Sequence, residues 1–265
     1  MGLKITVLGC GSSGGVPRIG NNWGVCDPTN PKNRRRRCSI LVERENGRDA
    51  TRVLVDSSPD VREQLLDAGV SWLDGVIYTH DHADHTHGLD ELRVIAINGR
   101  QRVRVWADER TERSLRTRFG YCFETPPGSN YPPILDAHRI APPEPVMVDG
   151  PGGIVEAVPF ELDHGDIRAL GFRFDGLAYT PDLHDIPEES IPALEGLDVW
   201  IVDALRPTPH PSHFDLNQAL DWIDRLKPRR AILTNMHVDL DYEALKRELP
   251  DNVVPAHDGL TIVAE

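Results

Sequence analysis

The sequence predicts an α/β protein in which two mixed β-sheets pack face to face and helices cover their outer faces. Two observations support this prediction. Short apolar segments bounded by turn residues come first in pairs, and apolar segments that alternate with amphipathic helices follow them. This order occurs twice along the 265 residues. Strand pairs that lead into strand–helix alternation are typical of layered sheets with helices outside.

The first half of the chain supplies one such series. Residues 59–69 illustrate the helical pattern, since a proline starts the segment, Val61, Leu65 and Leu66 recur at helical spacing, and a glycine ends it. The predicted elements are strands at 3–9, 39–43 and 51–58, the helix at 59–69, a strand at 74–80, a helix at 88–97, a strand at 103–108 and a helix at 109–120.

The second half repeats the series after a proline-rich segment. Residues 124–153 hold many of the 22 prolines and are predicted to be a loop, a lid or an insertion. The later elements are strands at 153–160, 169–175, 176–182 and 197–204, a helix at 215–227 capped by Asp215, a strand at 230–235, a helix at 241–249 and a strand at 259–265. No linker divides these elements, so we expect a single domain over residues 1–265.

The composition indicates a globular protein. Hydrophobic residues make up 39% and charged residues 27% of the chain, which fits that class. No apolar run of about 18 residues is present, so we expect no transmembrane helix and no membrane partner. The start of the chain lacks the pattern of a signal peptide, and we expect a cytoplasmic protein. The four scattered cysteines are then expected to be free thiols.

The formal net charge of −13 argues against a general nucleic-acid binder, because most of the surface would repel a phosphate backbone. It is compatible with a small anionic substrate, since bound metal ions can reverse the local field. A homodimer is also compatible with the sequence.

Residues 80–87 read HDHADHTH, with four histidines and two aspartates. His80 and His82 are two residues apart at a predicted strand end, where both side chains would point the same way. A turn after the strand would present Asp84 and His85 to a second position nearby. The segment therefore predicts a grip for metal ions rather than a solvated polar turn, and His87 is expected to start the next helix.

Further polar residues follow other predicted strands, at positions that would share one edge of the sandwich. They are His164, Asp182, His213 and His237. Each is ordinary by itself, and only the recurrence at strand ends makes it a candidate. His138, His184 and His257 lack this context and are expected to lie at the surface or at helix ends.

The segment THDHADH resembles the HxHxDH signature of the metallo-β-lactamase fold superfamily, and the resemblance covers essentially the whole chain. It implies a four-layer αββα sandwich with two metal ions along one edge. By this resemblance His80, His82 and His164 hold the first ion, Asp84, His85 and His237 hold the second, and Asp182 bridges them.

The flanking segments GCGSSGGVP, NRRRRCS, SPDVREQLL, SHFDLNQAL and ILTNMH are similar to the phosphoribosyl cyclic phosphodiesterase branch of this superfamily. Two departures matter. The cysteine cluster that holds a structural zinc in that branch is represented here by Cys26 alone. The histidine that follows "ILT" in that branch falls on Asn235, so either His237 or Asn235 takes the last ligand position, and we choose His237.

The chemistry implied is hydrolysis by a metal-bridging hydroxide. Imidazole and carboxylate ligands suit Zn²⁺, Mn²⁺ or Fe²⁺, and two such ions lower the pKa of a shared water. Asp84 and His213 are the predicted catalytic residues, with His213 protonating the leaving oxygen; alternatively, His213 caps the following helix. Arg34 and Arg35 are predicted to bind phosphate, although the RRRR segment is also compatible with a solvated face.

Two more residues have predicted roles around this chemistry. Asn235 is predicted either to contact the substrate or to support the metal ligands, and Asp56 is expected to support the histidine loop.

We therefore predict a two-metal phosphodiesterase that acts on a small cyclic phosphate or a nucleotide-like diester. The alternatives are an RNA 3′-processing nuclease like tRNase Z, a cofactor-biosynthesis protein like pyrroloquinoline quinone protein B, and a non-catalytic metal-binding protein.

Overall fold

Two seven-stranded β-sheets form the centre of the computed structural model, which describes residues 2–264. The strands are β1 (Leu3–Gly9), β2 (Ser39–Asn46), β3 (Asp49–Val55), β4 (Gly75–Ile77), β5 (Val103–Ala107), β6 (Leu135–Arg139), β7 (Val146–Val148), β8 (Val155–His164), β9 (Ile167–Phe174), β10 (Leu177–Thr180), β11 (Val199–Asp203), β12 (Arg230–Thr234), β13 (Val253–Pro255) and β14 (Thr261–Ala264). Glu265, which we predicted to end the last strand, lies outside the described residues.

Both sheets are mixed, and the second mirrors the first. The first has the order β14-β1-β2-β3-β4-β5-β6, and the second β13-β12-β11-β10-β9-β8-β7. The strands from β3 to β6 are parallel, as are those from β10 to β13, while the remaining pairs are antiparallel. The carboxyl ends of parallel neighbours meet at one edge of each sheet, which is where ligands bind in open α/β sheets.

Helices cover the outer faces. They are α1 (Val61–Asp67), α2 (Ala83–Thr86), α3 (Leu92–Gly99), α4 (Glu109–Phe123), α5 (Leu216–Leu226) and α6 (Tyr242–Glu248). Apolar residues of α1, α3 and α4 pack in one cluster with the outer face of the first sheet. Asp215 caps α5 in a capping box with Gln218, which confirms the predicted cap. The αββα sandwich predicted from the sequence is confirmed.

Alternation along the strands divides the apolar residues between two layers. On β2, Ile40 and Val42 lie in the core between the sheets, whereas Leu41 lies in the outer layer against the helices. All three are at most 1% exposed. Successive side chains of a strand point to opposite faces, so an apolar run without alternation predicts a strand that is buried on both faces.

Trp200, on β11, is the largest of the fully buried side chains. Its indole nitrogen donates a hydrogen bond of 3.0 Å to Thr180 Oγ1. We expect Trp200→Ala to lower the free energy of unfolding by about 3–5 kcal/mol, through lost burial and the cavity left behind. Urea unfolding followed by circular dichroism measures this. Tyr131→Ala, at a side chain that is 77% exposed, is the control, and an equal effect of both substitutions would contradict the prediction.

The proline-rich segment 124–153 is not the unstructured loop or insertion that we predicted. It contains β6 and β7, each an edge strand of a different sheet, and so carries the chain from the first sheet to the second. Leu135, Val146 and Val148 are buried. The prolines lie outside both strands, because a proline cannot donate a ladder hydrogen bond.

The glycines of the turn after β1 allow two backbone segments to approach closely. A Cβ atom on Gly9 would lie 2.0 Å from the carbonyl oxygen of Arg37, and one on Gly11 would lie 2.9 Å from Cβ of Arg35. The turn is therefore packed against residues 35–37. No helix in the described part of the chain is long and apolar enough to cross a membrane.

Candidate metal centre and active site

The loop between β4 and α2 carries the histidine motif, and Asp56 holds it in place. Asp56 follows β3 with a φ of 63° and is fully buried. Its carboxylate accepts hydrogen bonds from the Thr79 backbone N–H (2.8 Å), the Thr79 hydroxyl (2.8 Å) and His85 Nδ1 (2.7 Å). The Thr79 hydroxyl in turn accepts from His80 Nδ1 at 2.9 Å. Both rings therefore direct Nε2 towards the site, and Asp56 supports the loop as predicted.

The second sheet brings its residues to the same place from the ends of four strands. His164 is the last residue of β8, Asp182 follows β10, Asp203 ends β11 and Asn235 follows β12. His164 donates from Nδ1 to the Ser212 carbonyl at 2.6 Å, which leaves Nε2 free to face the loop. The two sheets thus meet edge to edge around the candidate centre.

The first group of donors contains three imidazoles and one carboxylate. The ligand atoms of His80, His82, His164 and Asp182 all lie within 4.8 Å of one another. Asp182 Oδ2 is 3.9 Å from His80 Nε2 and 3.6 Å from His164 Nε2. His82 Nδ1 is 3.2 Å from His164 Nε2.

The second group lies on the other side of Asp182. Asp182 Oδ1 is 3.1 Å from His85 Nε2, and Asp84 Oδ2 is 3.6 Å from the same nitrogen. The two oxygens of Asp182 therefore face different groups. This is the arrangement expected of a carboxylate that bridges two ions.

These residues fit divalent cations on several grounds. Nε2 of His80 and of His85 is buried and makes no hydrogen bond within residues 2–264, which is costly unless another partner binds there. Burial lowers the pKa of His80 well below its usual value and that of His164 to about 4, so both present a neutral nitrogen. Although burial alone would raise it, the neighbouring His85 holds the pKa of Asp182 well below its usual range. Neutral imidazole and ionised carboxylate are the forms that bind metals.

His213 lies beside this centre and is paired with Asp203. Its Nδ1 donates to Asp203 Oδ2 at 2.8 Å, and its ring is 4.7 Å from that of His164. Burial opposes the charged form, but the Asp203 carboxylate outweighs it and raises the pKa of His213 to about 9. Sequence reasoning missed Asp203. A polar residue directly after the apolar run VWIV is the signal that could have identified it.

A cavity of about 200 Å³ opens onto the centre. Several cationic or polar side chains of its wall were not predicted. They are Ser12, Ser13, Arg18, Arg206 and His210, which line the cavity together with His82, Asp84, Asp182, His213, Asn235 and His237. The site is thus negative at its base and carries two guanidinium groups on its wall.

His237 does not join the second group of donors. Its Nδ1 contacts Asp239 Oδ2 at 2.6 Å and its Nε2 contacts the Arg18 guanidinium. Instead, Asn235 Nδ2 lies 3.5 Å from Asp182 Oδ1. The reason is the backbone of Asn235, whose φ of 57° ends the strand and turns the chain before His237. Our choice of His237 as a ligand is corrected on this geometry.

Arg34 and Arg35 do not line the cavity either, so their predicted contact with substrate is wrong for this geometry. Arg35 is 2% exposed and donates to the carbonyl oxygens of Leu240 (2.7 Å) and His237 (3.3 Å). Arg34 lies over the ring of Trp23, 5.6 Å from its centroid. Arg35 therefore ties two loops together.

Comparison with known proteins agrees with this geometry. The family model of the beta-lactamase superfamily domain matches residues 51–236. A crystal structure described as a new diphosphatase from the PhnP family has 36% sequence identity and a TM-score of 0.87, with 100% of this chain and 98% of that chain covered. Zn²⁺-bound PqqB from Methylobacterium extorquens has 18% identity and a TM-score of 0.73, with 98% and 99% covered.

A curated relative is longer than this chain. It is named an octanoyltransferase, from Porphyromonas gingivalis, and is 32% identical over 268 residues, which is 99% of this chain and 52% of the relative. The chain thus spans about half the length of that relative, and its name describes the whole of it. From the matched family model, the similarity over full length and the His/Asp cluster, the chain belongs to the metallo-β-lactamase fold superfamily of hydrolases, in the branch of the PhnP family.

Proposed function

We propose that the protein is a two-metal phosphodiesterase that hydrolyses a small anionic phosphodiester, with cyclic phosphates as the preferred class. The observation that carries the proposal is the position of Asp182, whose two carboxylate oxygens face two groups of metal donors. Bound divalent ions would activate a water and neutralise the oxygens of the phosphate. The ligands would be His80, His82 and His164 on one side and Asp84 and His85 on the other, with Asp182 between them.

Protonation of the leaving oxygen is assigned to His213. An alkoxide is a poor leaving group, so a proton donor beside the phosphate accelerates its departure. Asp203 fixes the His213 ring through Nδ1, which leaves Nε2 as the atom that donates. This pairing supports a diester substrate, because a phosphate leaving group is stable without a proton.

The cavity wall supports an anionic substrate of modest size. Arg18 and Arg206 line the cavity with the donors of the centre, and a guanidinium forms paired hydrogen bonds to phosphate oxygens. A volume of about 200 Å³ suits a small molecule better than a folded RNA.

The second candidate is hydrolysis of a diphosphate. It is favoured by the relative with 36% identity, which is described as a diphosphatase. Both reactions place a substituted phosphate at the same centre, and they differ in the leaving group.

The proposal is tested with protein loaded with Mn²⁺ or Zn²⁺ and assayed on bis(p-nitrophenyl) phosphate, p-nitrophenyl phosphate, 2′,3′-cyclic nucleotides and a diphosphate diester. We expect fast cleavage of the diester and the cyclic phosphate, slow cleavage of the monoester, and no activity in Asp84→Ala. Cleavage of the diphosphate alone would favour the second candidate. Failure to cleave any of them with two ions bound would overturn the proposal.

Arg18 is expected to bind the charge of the substrate. We expect Arg18→Gln to raise KM about tenfold and to change kcat little, since a hydrogen bond to a charged group contributes about 1.5–3 kcal/mol. Steady-state kinetics on a cyclic phosphate measures the two constants. Arg229→Gln is the matched control, because the Arg229 side chain is 84% exposed and precedes the amino end of β12, away from the site. An unchanged KM in Arg18→Gln would remove Arg18 from the binding surface.

A further inference from the structure

We propose that the two metal positions differ in chemistry, and that the difference lies in Asn235. The position of His80, His82 and His164 would bind a nitrogen-preferring ion such as Zn²⁺ tightly. The position of Asp84 and His85 would bind more weakly and prefer a harder ion such as Mn²⁺. This inference rests on the proposed metal-dependent function but concerns binding, not turnover.

The first position is rich in nitrogen. Three imidazoles and Asp182 Oδ2 provide its donors, within 4.8 Å of one another. Hydrogen bonds to Thr79 and to the Ser212 carbonyl hold His80 and His164 with Nε2 facing the position. Four oriented ligands, three of them imidazoles, form the kind of set that suits Zn²⁺.

The second position has one imidazole only. His85 Nε2 is accompanied by two carboxylate oxygens, from Asp84 at 3.6 Å and from Asp182 at 3.1 Å. Carboxylate oxygens favour harder cations such as Mn²⁺. One of these two carboxylates is shared with the first position, so this position has fewer ligands of its own.

Asn235 is the neighbour that would complete the second position. Its carboxamide nitrogen lies 3.5 Å from Asp182 Oδ1 and 3.1 Å from His213 Nδ1, and its side chain is 2% exposed. A carboxamide is neutral and can ligate only through its oxygen. It therefore adds neither a nitrogen ligand nor a charge, and His237 is turned towards Asp239 and cannot substitute for it.

Metal binding to the full chain tests this directly. Metal-free protein is titrated with Zn²⁺ alone and with Mn²⁺ alone by isothermal calorimetry, and bound metal is measured by elemental analysis after desalting. We expect one tight Zn²⁺ and a second at least tenfold weaker. When protein holding one Zn²⁺ is then given Mn²⁺, electron paramagnetic resonance should report one bound Mn²⁺.

Variants at two positions identify the cause. We expect Asn235→His to tighten the second Zn²⁺ at least tenfold, and Asn235→Asp, which keeps the size of the side chain, to tighten the second Mn²⁺ instead. His237→Ala should leave the affinities of both ions unchanged. Thermal unfolding of each variant confirms that it is folded.

Three outcomes would overturn the inference: equal affinity of two Zn²⁺ ions in the unaltered protein, no tightening by either folded Asn235 variant, or loss of the second ion in His237→Ala. None of these measurements uses a substrate. An inactive protein with unequal ions would therefore refute the proposed phosphodiesterase alone, and an active protein with equal ions would refute only this inference.

Discussion

Replacing Asp182 with alanine is expected to abolish hydrolysis and to release metal from both positions. Asp182 is the one residue whose oxygens face both groups, with Oδ1 towards His85 and Oδ2 towards His80 and His164. Metal ions stabilise the transition state by several kcal/mol, so we expect kcat/KM to fall by at least about 10³-fold. Elemental analysis and diester kinetics on the same preparation measure both effects.

Asp185→Ala is the matched control for this experiment. Asp185 is exposed, lies three residues further along the same loop, and accepts a hydrogen bond from the backbone of Ile186. It should retain metal and activity. If Asp182→Ala kept two ions and a rate near that of the unaltered protein, the bridging role of Asp182 would be wrong.

The second large effect is expected from Asp203→Asn, which should lower kcat by about 10²–10⁴-fold without loss of metal. The Asp203 carboxylate accepts from His213 Nδ1 and raises the pKa of that imidazole to about 9 against the effect of burial. An amide at this position removes the charge that stabilises the protonated ring, and it can orient the ring with the wrong nitrogen protonated.

The comparison with His213→Ala shows whether the two residues act as a unit. If Asp203 works through His213, the double variant should lose no more activity than His213→Ala alone. The same variants should affect a diphosphate less than a diester, because phosphate needs less protonation to leave. Additive losses, or loss of metal in Asp203→Asn, would assign Asp203 a separate structural role.

The metal donors could be anticipated from the sequence because each follows an apolar run. The ends of such runs are local features, and parallel strands bring those ends to one edge whatever their exact order. Asp56, His80 and His164 all meet this description, and the structure places them at the edge where the two sheets meet.

Asn235 and His237 show where this reasoning stops. They are two residues apart, and a continuing strand would point both side chains the same way. The left-handed backbone of Asn235 breaks that relation, and no pattern of residue types reveals it. Arg18 is similar, since its contact with His237 joins residues 219 positions apart.

The edge strands were lost for a different reason. β6 and β7 have five and three residues and lie among prolines, so composition favoured a loop. Their formation depends on pairing with β5 and β8, and such tertiary pairing overrides a weak local preference.

The pairing of β14 with β1 has a consequence for the connectivity of the fold. Leu3 lies opposite Ala264 in this ladder, so the two backbones are about 5 Å apart. A short linker could join them, and new termini could be opened at the exposed turn around Gly47, where a side chain would meet nothing within 4 Å. Such a circular permutant would keep both sheets and the edge between them, since loop tips of this kind are where rearranged chains are tolerated. The metal-binding edge thus depends on which strands are neighbours and not on where the polypeptide starts.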